Sequence, residues 1–396
     1  MMRRTLILIP VMLTIAATVI VGCSTNKEGP ASPDIPAIPP PADMPKQPAS
    51  SSVPISDATP EYISIGGQWL DTSETELHII IYREPTSTVK TGAYIYTDLE
   101  TMEADIAQLK YMTNLQALSI CYDCWPEFNS TISDISVLAG LTGLTNLKLE
   151  GHSISDISAL AGLTNLTVLE LDGNSISDIS ALAGLTNLTK LDLEWNEIKD
   201  ITALSGLKEL SNLNLGRNRI NDASLLSELK NLTALSFYDI DNAISDANAF
   251  IKTLAELIEL KVLVIGGLQI NDIGELSKLI NLTELRLWYC QISDISALAE
   301  LTGLTKLDLR GSEINDISAL AGLVNLTELT ILYCQVSDIT PLAGLTNLKY
   351  LWLDNNQISD IKPLTGLSNL IVVGLSDNQI TDWSPVEHVG NVLGRP

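Results

Sequence analysis

Basic residues, histidines and aromatics are all in short supply in this chain, and each shortage removes a class of function. Lys and Arg number 23 against 48 Asp and Glu, a formal net charge of −25. That balance works against attraction to nucleic acid or to anionic lipid surfaces, so nucleic acid is not an expected partner. Only three histidines occur, His78, His152 and His388. None has a sequence neighbour placed as a nucleophile or metal ligand would need. No Gly-rich phosphate loop follows a strand-like segment. Neither an enzyme, a metal site nor a cofactor is expected. Aromatics are 5% of residues while 45% are hydrophobic, so leucine and isoleucine carry most of the apolar content. The chain can bury a sizeable core, and its uniformity suits a repetitive fold.

Arg3 and Arg4 precede an apolar run from Leu6 to Val21, which ends at Ile20-Val21-Gly22-Cys23. This is the pattern of a processing signal and lies outside the fold. The last four residues resemble a bacterial lipobox. That resemblance implies cleavage before Cys23, lipid on its sulfur and residence in the bacterial cell envelope, with the lipid as the one membrane contact. The run is also nearly long enough for an uncleaved anchor. The cysteine falling where the run stops favours the lipobox. Residues 24–60 hold ten prolines, including Pro39-Pro40-Pro41, and few large apolar side chains. Such a stretch cannot bury enough surface to fold and is expected to be a disordered stalk. At ~3.1 Å per residue it would reach about 100 Å.

Self-similarity dominates the rest. One unit runs Leu166-x-x-Leu169-x-Leu171-x-x-Asn174-x-Ile176-x-Asp178-Ile179-x-x-Leu182-x-x-Leu185. The frame restarts every 22 residues from Leu144 to Leu232, and again from Leu260 to Leu370. One such coil cannot bury its own leucines, but stacked coils share a continuous core and a parallel sheet along one face. Leu-x-Leu alternates as a strand does. Asn174, Asn196, Asn218, Asn356 and Asn378 sit where the chain leaves the strand, where their amides can bond the open backbone of neighbouring coils. Aspartate recurs in Ser-Asp pairs such as Ser177-Asp178, from Asp134 to Asp382. A metal ladder is one account of that row. Caps for the convex turns fit better, since every coil has the same orphan amides and no second carboxylate recurs beside the first.

The repeat resembles the leucine-rich repeats of the bacterial internalins, down to Ile-Ser-Asp-Ile at 154–157 and Leu-Ala-Gly-Leu-Thr-Asn-Leu at 160–166. The resemblance covers roughly Leu115 to Pro385. It implies an α/β solenoid, a curved leucine-rich-repeat horseshoe with a parallel β-sheet on the concave face and short helical or 3-10 turns on the convex face. It also implies protein recognition. The expected organisation is a signal peptide (1–22), a lipidated cysteine and stalk (23–60), an N-terminal cap (61–114), the solenoid (115–385) and a tail (386–396). Within the cap, Leu77, Ile79 and Ile81 alternate like a strand. Thr97-x-x-Glu100 has the form of a capping box, starting a helix with Leu99, Met102, Ile106 and Leu109 on one face.

Residues between and just after the strand leucines are expected to face outward on the concave sheet. They include Trp195, Tyr238, Arg286, Trp288, Tyr289, Arg310, Tyr333, Tyr350 and Trp352. Tyr, Trp and Arg are enriched at binding hot spots, so these nine are the candidate ligand-binding set. A protein ligand is the leading expectation, and a glycan stacked on the same rings is the alternative. An acidic strip of Glu150, Glu170, Asp172, Asp192 and Glu194 lies toward the N-terminal coils, either as a solvated face or as a seat for a basic partner. Two insertions break the period, one holding Cys121 and Cys124 and the other between Leu232 and Leu260. Both are expected to be loops, which in solenoids often help binding. The two cysteines could form a local disulfide or remain thiols. Cys290 and Cys334 occupy the asparagine position two coils apart, too far for a bridge, and are expected to be buried thiols. The Asn-Leu-Thr triplets, such as 165–167, match a glycosylation pattern but recur only because the repeat does.

Overall fold

The computed structural model describes residues 60, 62–65, 68–82, 94–98, 106–122, 132–238, 244 and 246–395. The signal segment, Cys23, nearly all of the stalk and Cys124 lie outside them, as does the side chain of Cys121. Ala58–Pro396 form one compact unit. No helix among the described residues is long and apolar enough to cross a membrane.

Each coil contributes a short strand. In chain order these are β1 (Tyr62–Ile65), β2 (Gln68–Asp71), β3 (Glu76–Tyr82), β4 (Tyr94–Asp98), β5 (Ala117–Tyr122), β6 (Asn146–Glu150), β7 (Val168–Glu170), β8 (Lys190–Asp192) and β9 (Asn212–Asn214). They continue with β10 (Ala234–Tyr238), β11 (Val262–Gly266), β12 (Glu284–Trp288), β13 (Lys306–Arg310), β14 (Glu328–Leu332), β15 (Tyr350–Trp352), β16 (Val372–Gly374) and β17 (Asn391–Leu393). β3 to β17 form one 15-stranded sheet, parallel throughout, while β1 and β2 make a separate antiparallel pair. The order follows the chain except at the start, where β4 lies outside β3 and the chain returns past β3 to β5. Thr97 is paired in β4, the rest of the expected capping box and first helical turns (99–105) lies outside the described residues, and Ile106 beyond them is helical. The run Tyr94-Ile95-Tyr96-Thr97 is aromatic and β-branched, which suits its pairing with β3. Ile106 and Leu109 are buried, leading into a 3-10 turn at Ala107–Tyr111.

The core is the repeat seen end-on. In one coil Leu169, Leu171, Ile176, Ile179, Leu182, Leu185 and Leu188 are all buried, and the same seven positions repeat along the stack. Each such side chain contributes roughly 1.5–3 kcal/mol on burial. Convex turns are 3-10 in nearly every coil, for example Ser296–Glu300 and Ser318–Gly322. The aspartate row starts them. Asp178 Oδ1 accepts the Ser180 N–H at 2.8 Å, and Asp134, Asp156, Asp294, Asp316 and Asp338 repeat that bond. These bonds hold the carboxyls of Asp134, Asp156, Asp178, Asp294 and Asp338 below the usual aspartate range. No group of three His, Cys, Asp or Glu among the described residues is arranged to hold a metal.

Three more ladders tie coil to coil. Asn196 shows the first: its Nδ2 donates to Leu171 O at 3.0 Å in the preceding coil, and its Oδ1 accepts the Ile176 N–H at 2.9 Å. Asn174, Asn218 and Asn356 do the same. The Asn-Leu-Thr triplets supply the other two. Asn187 Nδ2 donates to Thr164 O, and Thr189 Oγ1 donates to Thr167 O. The insertion before Leu260 is not simply a loop. Four of its six extra residues fall after Asp246, and they turn the usual 3-10 segment into an α-helix, α1 (Ala247–Leu254). Four residues are about one α-turn. Asp246 caps it by accepting the Ala249 N–H, and Phe250 stacks 4.7 Å from Phe237 of β10, filling the core.

Candidate functional site

On the concave face β6, β10, β12 and β14 turn their first, third and fifth residues outward and bury the two between, as in Glu284-Leu285-Arg286-Leu287-Trp288. Register then stacks the outward residues into rows. Tyr238, Gly266, Trp288 and Arg310 are consecutive members of one row, and Arg286, Asp308, Thr330 and Trp352 of another. Four of the nine candidate residues come together. The Tyr238 ring meets Trp288 edge-on at 5.7 Å, while the guanidinium groups of Arg286 and Arg310 lie 5.9 and 5.7 Å from the Trp288 ring centre. Both arginines are pinned by carboxylates on their own strands. Arg286 pairs with Glu284 at 2.6 Å, and Arg310 grips Asp308 through two nitrogens, each at 2.6 Å. The Trp288 indole nitrogen is buried without a hydrogen-bond partner.

Three candidates lie elsewhere than on the flat of the sheet. Trp195, Tyr289 and Tyr333 occupy the residue just past the strand, where φ is 55°, 52° and 55°. That turn position is left-handed in every described coil where it is assigned a positive φ, and Gly151, Gly173, Gly267 and Gly311 occupy it elsewhere. Placing bulky aromatics there is costly for the backbone. Tyr289 is 60% exposed and Tyr333 41%. Tyr350 and Trp352 stand on β15, the first exposed and the second half-buried.

Sequence patterning alone did not single out several residues that shape this surface. Glycines bed the rings: the Tyr238 ring lies against Gly216, Tyr289 against Gly311 and Trp352 against Gly374, so a methyl group there would collide with each. A glycine one period from an aromatic is the signal that could have found them. Arg217 is another omission, its guanidinium 4.0 Å over the Trp195 ring and 5.9 Å from Tyr238. The Tyr238 hydroxyl donates to Glu194, two coils back, which burial and that carboxylate together make a very weak acid.

Glu194 belongs to the acidic strip, which the structure gathers on β6, β7, β8 and the turns behind them. Glu170 is buried and clamped by Lys148 at 2.5 Å and by Lys190, pulling its pKa down to about 2 despite burial. Its neighbours behave oppositely. Burial, reinforced by nearby carboxylates, pushes Glu150 up to about 7, Asp172 to about 8 and Asp192 to about 6. His152 sits at the head of the asparagine ladder, bonded to Ile120 O and pushed down to about 4 by burial, so it is a neutral structural ring. Cys290 and Cys334 are free, buried thiols, as their position in the repeat predicts.

Comparison with known proteins agrees with this geometry. A family model for leucine-rich repeats in two copies matches residues 164–206, 302–344 and 346–388. No curated protein sequence matches. Among solved structures, a leucine-rich-repeat protein of Leptospira interrogans superposes with a TM-score of 0.59 at 22% identity, covering 75% of this chain and 82% of its own. The functional domain of the Listeria monocytogenes protein InlJ, which includes a cysteine ladder, gives 0.51 at 22% identity, covering 66% of this chain and 60% of its own. Both share the fold. The Listeria monocytogenes internalin InlF is nearer, with a TM-score of 0.66 and 31% identity over 82% of this chain and 89% of InlF. With that identity across nearly the whole of InlF, this chain belongs to the internalin family.

Proposed function

We propose that the protein is a lipid-anchored leucine-rich-repeat protein of the bacterial cell envelope that recognises another protein through its concave face. Family membership supports protein recognition in general. The observation that carries the concave site is the cluster of Tyr238, Trp288, Arg286 and Arg310, continued by the exposed rings of Tyr289, Tyr333 and Tyr350. Sheet stacking alone does not require large rings at left-handed turns, nor glycines placed to bed them. No catalytic step is part of this reading. The anchor is the lipobox at Cys23, with residues 24–60 as the stalk and the segment before β5 as the cap that closes the stack.

The test compares the full chain with a Trp288→Ala/Trp352→Ala variant shown by circular dichroism to be folded. Both are offered to envelope and host-cell protein extracts and to a glycan array. A protein retained by the unaltered chain alone is the expected result. Glycan signals alone would transfer the same rings to a sugar ligand, and identical behaviour of the two forms would remove the site from this face.

A further inference from the structure

We propose that the concave face takes an extended, lysine- or arginine-rich segment of the partner protein, with its cations on the carboxylates of β6 to β8. This rests on the reading that the concave face is the binding surface, and it names the chemistry of what binds there. Charge complementarity is the argument. Five carboxylates, Glu150, Glu170, Asp172, Asp192 and Glu194, crowd three neighbouring coils, and the two lysines among them, Lys148 and Lys190, both close on Glu170. Glu150, Asp172 and Asp192 form no ion pair among the described residues. The insertion at 121–131, next to Glu150 in register, contains no lysine or arginine to reach them. On the β9 side the neighbour is Asn214, whose amide is shared between Asp192 and Glu194. Once these three have given up their protons, a cation from outside is the missing member.

The face already holds one guanidinium in the manner required. Arg217 stacks on Trp195, one residue after Glu194, and reaches toward Tyr238, whose hydroxyl Glu194 accepts. Aromatic faces beside carboxylates are the usual recognition chemistry for ammonium and guanidinium groups. The carboxylate rows run directly into the Trp195, Tyr238 and Trp288 rings. From β6 to β12 is six strand steps, about 29 Å, or roughly nine residues of extended chain laid across the sheet. Basic residues at one end and apolar residues at the other would meet both halves.

Labelled decalysine, followed by fluorescence anisotropy on the full chain, is the probe. The informative variant is Glu150→Gln/Asp172→Asn/Asp192→Asn, whose amides match protonated carboxyls in size, used once circular dichroism shows it to be folded. A control, Glu209→Gln/Glu259→Gln/Glu300→Gln, removes the same charge from exposed connections between strands. The concave variant is expected to weaken binding by about tenfold, the order seen for lost close charge pairs, and the control by less than about twofold. Equal losses would mean diffuse attraction to net charge and overturn the proposal. A second measurement needs no variant. Lowering pH from about 8.5 to about 5.5 neutralises Glu150, Asp172 and Asp192 ahead of ordinary carboxylates, in the field of Glu170, Glu194, Lys148 and Lys190. Decalysine affinity should fall across that interval in the unaltered chain and stay flat in the concave variant, whereas parallel curves would contradict the assignment. If decalysine shows no preference for this strip while Trp288→Ala/Trp352→Ala still loses a captured protein, the concave-face reading stands and the basic partner does not.

Discussion

The coils that start at Leu166, Leu188 and Leu210 and those that start at Leu260, Leu282 and Leu304 obey one 22-residue rule, yet they use it differently. The first group keeps asparagine at the ladder position, as Asn174, Asn196 and Asn218, and each side chain bonds backbone on two coils. In the second group the same position holds Leu268, Cys290 and Ser312, followed by Cys334. The thiols of Cys290 and Cys334 donate to carbonyls of their own strands, at 3.5 and 3.4 Å, and Ser312 Oγ is buried without a partner. The Ile270 amide, lacking an asparagine acceptor, turns to Leu268 O within its own coil. The concave faces differ in parallel. Carboxylates and lysines predominate on the first group, beside Trp195 and Arg217, while arginines and aromatics predominate on the second, each arginine paired with a carboxylate. The lesson is that the asparagine ladder is relaxed where arginines and aromatics are concentrated, and sheet bonds, leucine packing and the Asn-Leu-Thr ladders, as in Asn281 to Ile258 O and Thr305 to Thr283 O, hold those coils.

Four predictions sharpen that contrast. The largest effect is expected at the intact ladder: Asn196→Ala removes bonds to the preceding coil and to its own, leaving the Ile176 amide unpaired, a loss of about 3 kcal/mol, whereas Cys290→Ala should cost about 1 kcal/mol or less in urea unfolding. Next comes the ring bed. Gly311 has φ +63° with the Tyr289 ring against it, so Gly311→Ala should cost about 1–2 kcal/mol and move that ring. Gly322 lies on the convex side with nothing nearby, and Gly322→Ala should be neutral within about 0.5 kcal/mol, both read from denaturation midpoints.

The third prediction concerns pH. The folded state holds protons on Glu150, Asp172 and Asp192 that the unfolded chain gives up near pH 4, so stability falls as pH rises through about 6, 7 and 8. Glu170 acts in the opposite sense, and its contribution is lost only as pH drops through about 2. Melting temperature should therefore be higher near pH 5 than near pH 8.5, and Asp172→Asn should flatten the difference. The smallest effect is local. Amide exchange at Ile270 and Ile292 should outpace that at Ile154, Ile176 and Ile198, and Cys290→Asn should slow exchange at Ile270 specifically. Uniform protection along the stack would erase the distinction between the two groups.

Much of this was legible because a repeat states each rule many times. The strand leucines, the aspartates that start convex turns, the ladder asparagines and the burial of Cys290 all follow from period and side-chain chemistry. What was not legible depends on rotamers and on contacts between coils. The Tyr238–Glu194 bond spans two coils, and Arg217 over Trp195 needs both side chains to turn along the sheet. The placement of β4 outside β3 inverts the chain order and has no local signal. The four residues that make α1 were visible as an excess, but not as a helix replacing a 3-10 turn. Protons held on the acidic strip follow from burial that only the assembled coils create.

The most direct measurement places a photoreactive benzoylphenylalanine at position 289, on the concave rim, or at position 300, at the end of a convex 3-10 turn, in the full chain expressed in its own cells. Both sites are exposed, so the label is tolerated equally. A discrete cross-linked protein from position 289 and none from position 300 is the predicted result. Adducts from position 300 alone, or the same adduct from both, would contradict recognition through the concave face.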